Sequence, residues 1–230
     1  MFRFSSILAL LLIIPLFGAT SPFSQELLHR LSQQAPQLDK QVLKSAITAT
    51  ECAILNGTEP PATLAIIDFR LPSSDERLWI LDLRDGRLVL RDLVAHGRNS
   101  GELNASWFSN TVGSLQSSLG LFRGREAYFG KHGYSLRLDG LEPGINDNAR
   151  DRAIVIHGAS YVDPSWLKTR GRIGRSFGCP AVRKEIARDV VDHLKDGQFI
   201  FSFYPDRQWL EESYFLNCNG EDLAAGENGI

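Results

Sequence analysis

Between Ser24 and Leu55 the apolar residues Leu27, Leu28 and Leu31, then Leu38, Val42, Leu43, Ile47 and Ile54, recur near helical spacing. This pattern predicts two helices interrupted around Pro36, and Gly57 with the pair Pro60, Pro61 ends the helical stretch. Beyond Pro61 the periodicity changes. Thr63 to Phe69 and Arg77 to Leu83 are runs of strand formers, and Asp85-Gly86 before the next run predicts a hairpin with a type I′ turn. Tyr134 to Leu138, Ala153 to His157 and Phe199 to Tyr204 read as further strands. Ile186, Val190 and Leu194 recur in four-residue steps, so a helix precedes Gly197. The expectation is a mainly β domain with few helices, preceded by a helical extension.

The first twenty residues follow another logic. Arg3 is their only charged residue, and an apolar run from Ile7 to Ala19 ends in small residues. That run is short for a membrane span of about 20 residues and fits a secretory signal cleaved near Gly18 to Ser21. The expected organisation is a signal peptide at 1–20, a helical extension at 21–60, a catalytic domain at 61–206 and a tail at 207–230, acidic from Gly220 onward. The expected destination is the periplasm or cell envelope, with no stable membrane span after cleavage.

Acidic side chains number 27 against 25 basic ones, so there is no cationic excess to displace the counterions of a nucleic acid. At 43% hydrophobic residues the chain can build a core. The three cysteines, Cys52, Cys179 and Cys218, form no CxxC pair, and an oxidising compartment would pair two of them.

Cys179 stands in RIGRSFGCPAV, crowded by Ser176 and Gly178, with Pro180 suited to the start of a following helix. A helix N-terminus, with Arg170, Arg172 and Arg175 close by, would favour its thiolate. His157 ends the apolar strand AIVIH before Gly158, 22 residues earlier, and neutral imidazole there can take a thiol proton. Backbone N–H groups at Gly178 and Cys179 are candidate oxyanion donors. The group that orients the imidazole is either a backbone carbonyl or Ser176; the sequence does not choose. His96, before Ser100 and Gly101, is a candidate cleft residue, and His132 in GKHG a weaker one. Ser109, Asn110, Ser114, Ser117 and Ser118 are candidates for contact with a peptide backbone. Arg172 and Arg175 are candidates for carboxylate contacts through their guanidinium forks.

Two other chemistries fit less well. His96, His132, His157 and Cys179 as zinc ligands match no compact motif, and HExxH is missing. A papain-like protease places its Cys well before its His, the reverse of the order here.

HG, an intervening run and then SxGC, with LAIIDF, RLWILDL, LVAHGRNSG, YFGKHGYSLRLDGLE, NDNARDRAIVIHGASYV and GRIGRSFGCPAV, resemble the murein L,D-transpeptidase (YkuD-type) catalytic domain family, and in particular its branch carrying GRSxGCPAV. The resemblance spans roughly residues 63–204. It implies an L,D-transpeptidase-like β-sandwich or barrel, with Cys179 as the acylated nucleophile, His157 as proton acceptor, and Gly158, Ser176 and Gly178 shaping the site. It further implies attack on the bond between the diamino acid at position three and D-Ala of a peptidoglycan stem tetrapeptide. The acyl group would pass to an amine of another stem or to water, with no metal or organic cofactor. The implied partners are peptidoglycan stem peptides as donor and acceptor. The bland alternative is a non-catalytic wall-binding module of the same fold. The chain departs from many members at Phe177, where they carry His, and at Pro180 and Ala181, where they carry a hydrophobic residue and Arg; Arg183 comes later. With Cys179 kept free as the nucleophile, Cys52 and Cys218 become the expected disulfide pair.

Overall fold

The structure, a computed structural model, describes residue 23 and residues 25–218. The expected signal segment at 1–20, and the acidic end of the tail, lie outside the described residues. The two expected helices are α1 (Gln25–Gln34) and α2 (Lys40–Leu55), with the carboxylate of Asp39 capping α2 by accepting from the N–H groups of Gln41 and Val42. Both pack into the same core as the sheet, through Leu27, Leu31, Val42, Leu43 and Ile47. Among the described residues no helix is long and apolar enough to cross a membrane.

Among the described residues eight strands form one sheet: β1 (Thr63–Asp68), β2 (Leu78–Asp82), β3 (Arg87–Asp92), β4 (Gly120–Gly130), β5 (Gly133–Gly140), β6 (Val155–Gly158), β7 (Ala181–Val182) and β8 (Phe199–Phe203). Their order is β3-β2-β1-β8-β4-β5-β6-β7. β1 with β8 and β6 with β7 run parallel, and the other neighbours antiparallel. β1, β2 and β8 are buried along their whole length, which explains why they read as unbroken apolar runs. Just past β3, Ala95 bridges to Ala181 of β7, its N–H donating to the Ala181 carbonyl at 2.8 Å. The two ends of the sheet therefore meet, and the fold is a nearly closed, mainly β barrel with few helices.

The hairpin between β2 and β3 is present, but its turn is not type I′. Asp85 does not take a positive φ; Gly86 alone does, at 67°, and its N–H donates to the carbonyl of Asp82. The buried carboxylate of Asp82 accepts from the N–H groups of Arg84 and Asp85, so an Asp-capped, longer turn replaces the two-residue loop.

The helix α4 (Ala187–Leu194) follows β7, after α3 (Ser165–Arg170) has crossed between β6 and β7. The last helix, α5 (Arg207–Glu212), is pinned by buried Glu142, whose carboxylate accepts from the Leu121 N–H, Trp209 Nε1 and Ser213 Oγ. Cys52 of α2 is bonded to Cys218 across 166 residues. That is the pairing expected once Cys179 is left free, and Cys179 is a free thiol. A small second core of Leu93, Ala95, Ala159, Val162, Ile173 and Ala181 lies where the sheet closes.

Candidate active site

β6 ends at the segment His157-Gly158, and the parallel pairing of β6 with β7 sets His157 opposite Ala181. Cys179 lies two residues before Ala181, so the strand register brings the imidazole and the thiol to one end of the barrel. Both line a single cavity of about 350 Å3, together with Arg152, Lys131, His132 and Tyr161. The thiol is half-buried, with Sγ 3.7 Å from the carbonyl oxygen of Ala153.

Cys179 does not sit at a helix N-terminus. Pro180 leads into strand β7, and α4 starts only at Ala187. Proline's fixed φ and missing N–H suit a strand start as well as a helix start, so the residue alone does not distinguish them. Burial pushes the thiol pKa up, while the Val155 backbone and the positive charges of Arg152 and Lys131 pull it back. The cations acting on the sulfur are therefore not the three arginines close in sequence.

Arg152 had no signal in the pattern of the chain. It is held by a loop of serines: Nη1 donates to Ser109 O at 2.5 Å and to Ser118 Oγ, and Nη2 to Gln116 O at 2.5 Å and to Ser114 Oγ at 3.1 Å. The serines expected to meet a peptide backbone thus cradle a guanidinium. Asn110 holds Asp147 and Asn148, and Ser117 donates to the carbonyl of Gly178.

His157 is oriented by a backbone carbonyl. Its Nδ1 lies 3.1 Å from the carbonyl oxygen of Gly158, an arrangement that puts the ring proton on Nδ1 and the lone pair on Nε2. No described residue hydrogen-bonds to Nε2. Burial is the main influence lowering the pKa of this imidazole, with the charges of His132 and Lys131 acting in the same direction. The neutral, proton-accepting form is favoured. His132 stacks on the ring and lines the same cavity.

Ser176 closes the turn under Cys179. Its Oγ donates to the Cys179 carbonyl at 2.6 Å and accepts from the Gly178 N–H at 3.1 Å. The Gly178 N–H, expected to face an oxyanion, is engaged there, whereas the Cys179 N–H has no acceptor among the described residues. Gly178 shapes the turn instead: its φ is 122°, and a Cβ would come 2.9 Å from the Gln116 carbonyl oxygen.

His96 is placed in the interior rather than on the cavity wall. It is fully buried, Arg77 Nη2 lies 2.7 Å from its Nδ1, and its Nε2 is 3.2 Å from the Gly101 carbonyl oxygen. Burial and the Arg77 charge drive its pKa down to about 3, so it is neutral. Arg175 lines the Cys179 cavity, Arg172 an adjoining one, and Glu102 holds both. Arg183 is paired with Asp92 through Nε and Nη2. Among the described residues no three His, Cys, Asp or Glu side chains gather as a metal-ligand set.

Solved structures with a similar fold include an L,D-transpeptidase from Mycobacterium smegmatis, 12% identical over 62% of this chain and 59% of that one, with a TM-score of 0.40. Another is the helical cell shape determining protein Pgp2 from Campylobacter jejuni, 14% identical over 66% of this chain and 53% of that one, with a TM-score of 0.39. The chain spans less than two thirds of the length of either. No curated protein sequence matches. The model of the L,D-transpeptidase catalytic domain matches residues 34–203, well over half of the 230 residues, from the middle of the helical region to the end of β8. The chain belongs to the L,D-transpeptidase catalytic domain family.

Proposed function

We propose that this chain is an exported cysteine acyltransferase of the branch carrying GRSxGCPAV, acting on peptidoglycan stem tetrapeptides in the periplasm or cell envelope. The observation that carries the proposal is the shared cavity: the one free thiol of the chain faces the same space as a carbonyl-oriented, neutral imidazole. Nε2 of His157 takes the proton from Sγ of Cys179, and the thiolate attacks the carbonyl carbon of the diamino acid at position three. The Cys179 N–H and the charge of Arg152 face the oxyanion. The C–N bond to D-Ala breaks as His157 returns the proton to the leaving amine, and a thioester remains. An acceptor amine then adds to the thioester carbonyl, His157 removes the amine proton, and the sulfur leaves as thiolate.

Incubation with a disaccharide tetrapeptide tests the reading by intact mass. The expected result is a Cys179 adduct equal to the donor minus D-Ala, absent in Cys179→Ala. A folded wild-type protein that never acylates, with donor or with a carbapenem, would overturn it in favour of a wall-binding module. Cross-linked dimers among the products identify an amine acceptor; tripeptide alone identifies water and a carboxypeptidase.

A further inference from the structure

A second cavity of about 300 Å3 adjoins that of Cys179 and shares Tyr161, Arg175 and Phe177 with it. Arg98, Arg170, Arg172 and Trp166 build most of its remaining wall. Four guanidinium groups border one opening. Among the described residues a single carboxylate, Glu102, touches them, with Oε2 2.6 Å from Arg172 Nη2 and Oε1 2.8 Å from Arg175 Nη1. Arg98 and Arg170 are exposed and make no ion pair among the described residues. Each lies over an aromatic ring, Arg98 above Phe177 at 5.7 Å and Arg170 above Trp166 at 4.1 Å.

Gathering four like charges disfavours the folded chain by mutual repulsion, and Glu102 offsets only part of it. An arriving anion relieves the rest. The way Glu102 sits, one oxygen on each of two arginines, shows that the spacing suits a planar carboxylate. Trp166, Tyr161 and Phe177 add an apolar surface for the body of a peptide. We propose that the pocket bordered by Arg98, Arg170, Arg172 and Arg175 is a subsite for a free carboxylate of the peptide processed at Cys179. It rests on the acyl-transfer reading above and adds to it a preference for acidic over amidated peptides.

The test uses the Cys179→Ala protein, so that binding is measured without turnover. Calorimetry compares a tetrapeptide ending in D-Ala, its carboxylates free, with the same peptide fully amidated. The acid form is expected to bind about tenfold more tightly or better. Adding Arg98→Gln and Arg170→Gln is expected to abolish that preference and leave the amide form unchanged, with the thermal midpoint retained or raised, because both side chains are exposed and their removal relieves like-charge repulsion. Equal binding of the two peptides, or a preference that survives the double substitution, would overturn the subsite. So would arginine-dependent binding of a polyglycerol phosphate without any preference between the peptides. Thioester formation by wild-type protein is scored separately: acylation without a carboxylate preference removes the subsite and leaves acyl transfer standing, while no acylation removes the reading on which it rests.

Discussion

The imidazole of His132 lies against that of His157, ring centroids 4.3 Å apart and planes inclined by 24°. His132 comes from the turn between β4 and β5 and His157 from β6, so the hairpin clamps the proposed base from one side. Lys131 adds positive charge at the same place and lowers the pKa of both rings, although burial is the larger cause in each.

Replacing His132 by Phe keeps an aromatic ring against His157 and removes the charge that His132 carries once protonated. The pKa of His157 is expected to rise, so the acid limb of kcat/KM against pH moves to higher pH, by less than a unit because burial remains. His132→Ala removes the ring as well and is expected to lower kcat about tenfold through loss of orientation. Superimposable pH profiles for wild type and His132→Phe would deny the coupling.

His96 makes stability depend on pH. Its pKa is about 3 in the folded protein against an ordinary 6.5, so the unfolded chain binds the proton first as pH falls. The stability it contributes is complete above about 6.5 and is lost toward 3, at up to about 1.4 kcal/mol per pH unit. His96→Asn is expected to cost about 1–3 kcal/mol at pH 7, because buried Arg77 loses a partner, yet to show a slope between pH 6.5 and 4.5 shallower by one proton. Urea midpoints across that range measure both quantities.

Arg152 is expected to set the reactivity of the thiol. Arg152→Gln removes a charge that favours the thiolate, so the alkylation rate of Cys179 at pH 7 should fall about tenfold and its pH midpoint should rise. The carbonyls of Ser109 and Gln116 also lose a donor, at a cost of about 1–3 kcal/mol. The shifted midpoint of alkylation separates the charge effect from simple destabilisation.

Reducing the Cys52–Cys218 bond is expected to lower stability by about 2–4 kcal/mol, since it frees a long loop in the unfolded chain. Acylation at 25 °C should persist, because α2 stays anchored by Val42, Leu43, Ala46 and Ile47 in the core. Thermal midpoints and intact mass with and without reductant measure the two outcomes; an unchanged midpoint would mean that the bond contributes nothing to stability.

Elements with one dominant periodicity were legible from the chain. The apolar runs of β1, β2 and β8, the helical spacing of α1, α2 and α4, and the strand ending at His157 all stand where the pattern puts them. β4 escaped because its glycines at 120, 124 and 130, its charges at Arg123, Arg125 and Glu126 and a register shift after Gly124 leave no alternation to read. The meeting of Cys179 and His157 in one cavity was legible because two chemically distinctive side chains, each beside glycine, end short apolar or Gly-rich segments. What surrounds them was not. Arg152 reaches the sulfur through contacts with residues 34 to 43 positions away, and nothing in its immediate neighbours announces that. His96 looked accessible because Gly and polar residues follow it, but those residues fold over it and Arg77 closes the other side.

The bridge between Ala95 and Ala181 gives the barrel a seam, and the turn carrying the sulfur is stitched to the same seam by Ser176, which donates its N–H to His96 O and accepts from the Arg98 N–H. Acylation of the sulfur is therefore expected to change the protection of these seam hydrogen bonds. Deuterium uptake at the amides of Ala95 and Arg98 becomes a remote gauge of whether the sulfur is occupied.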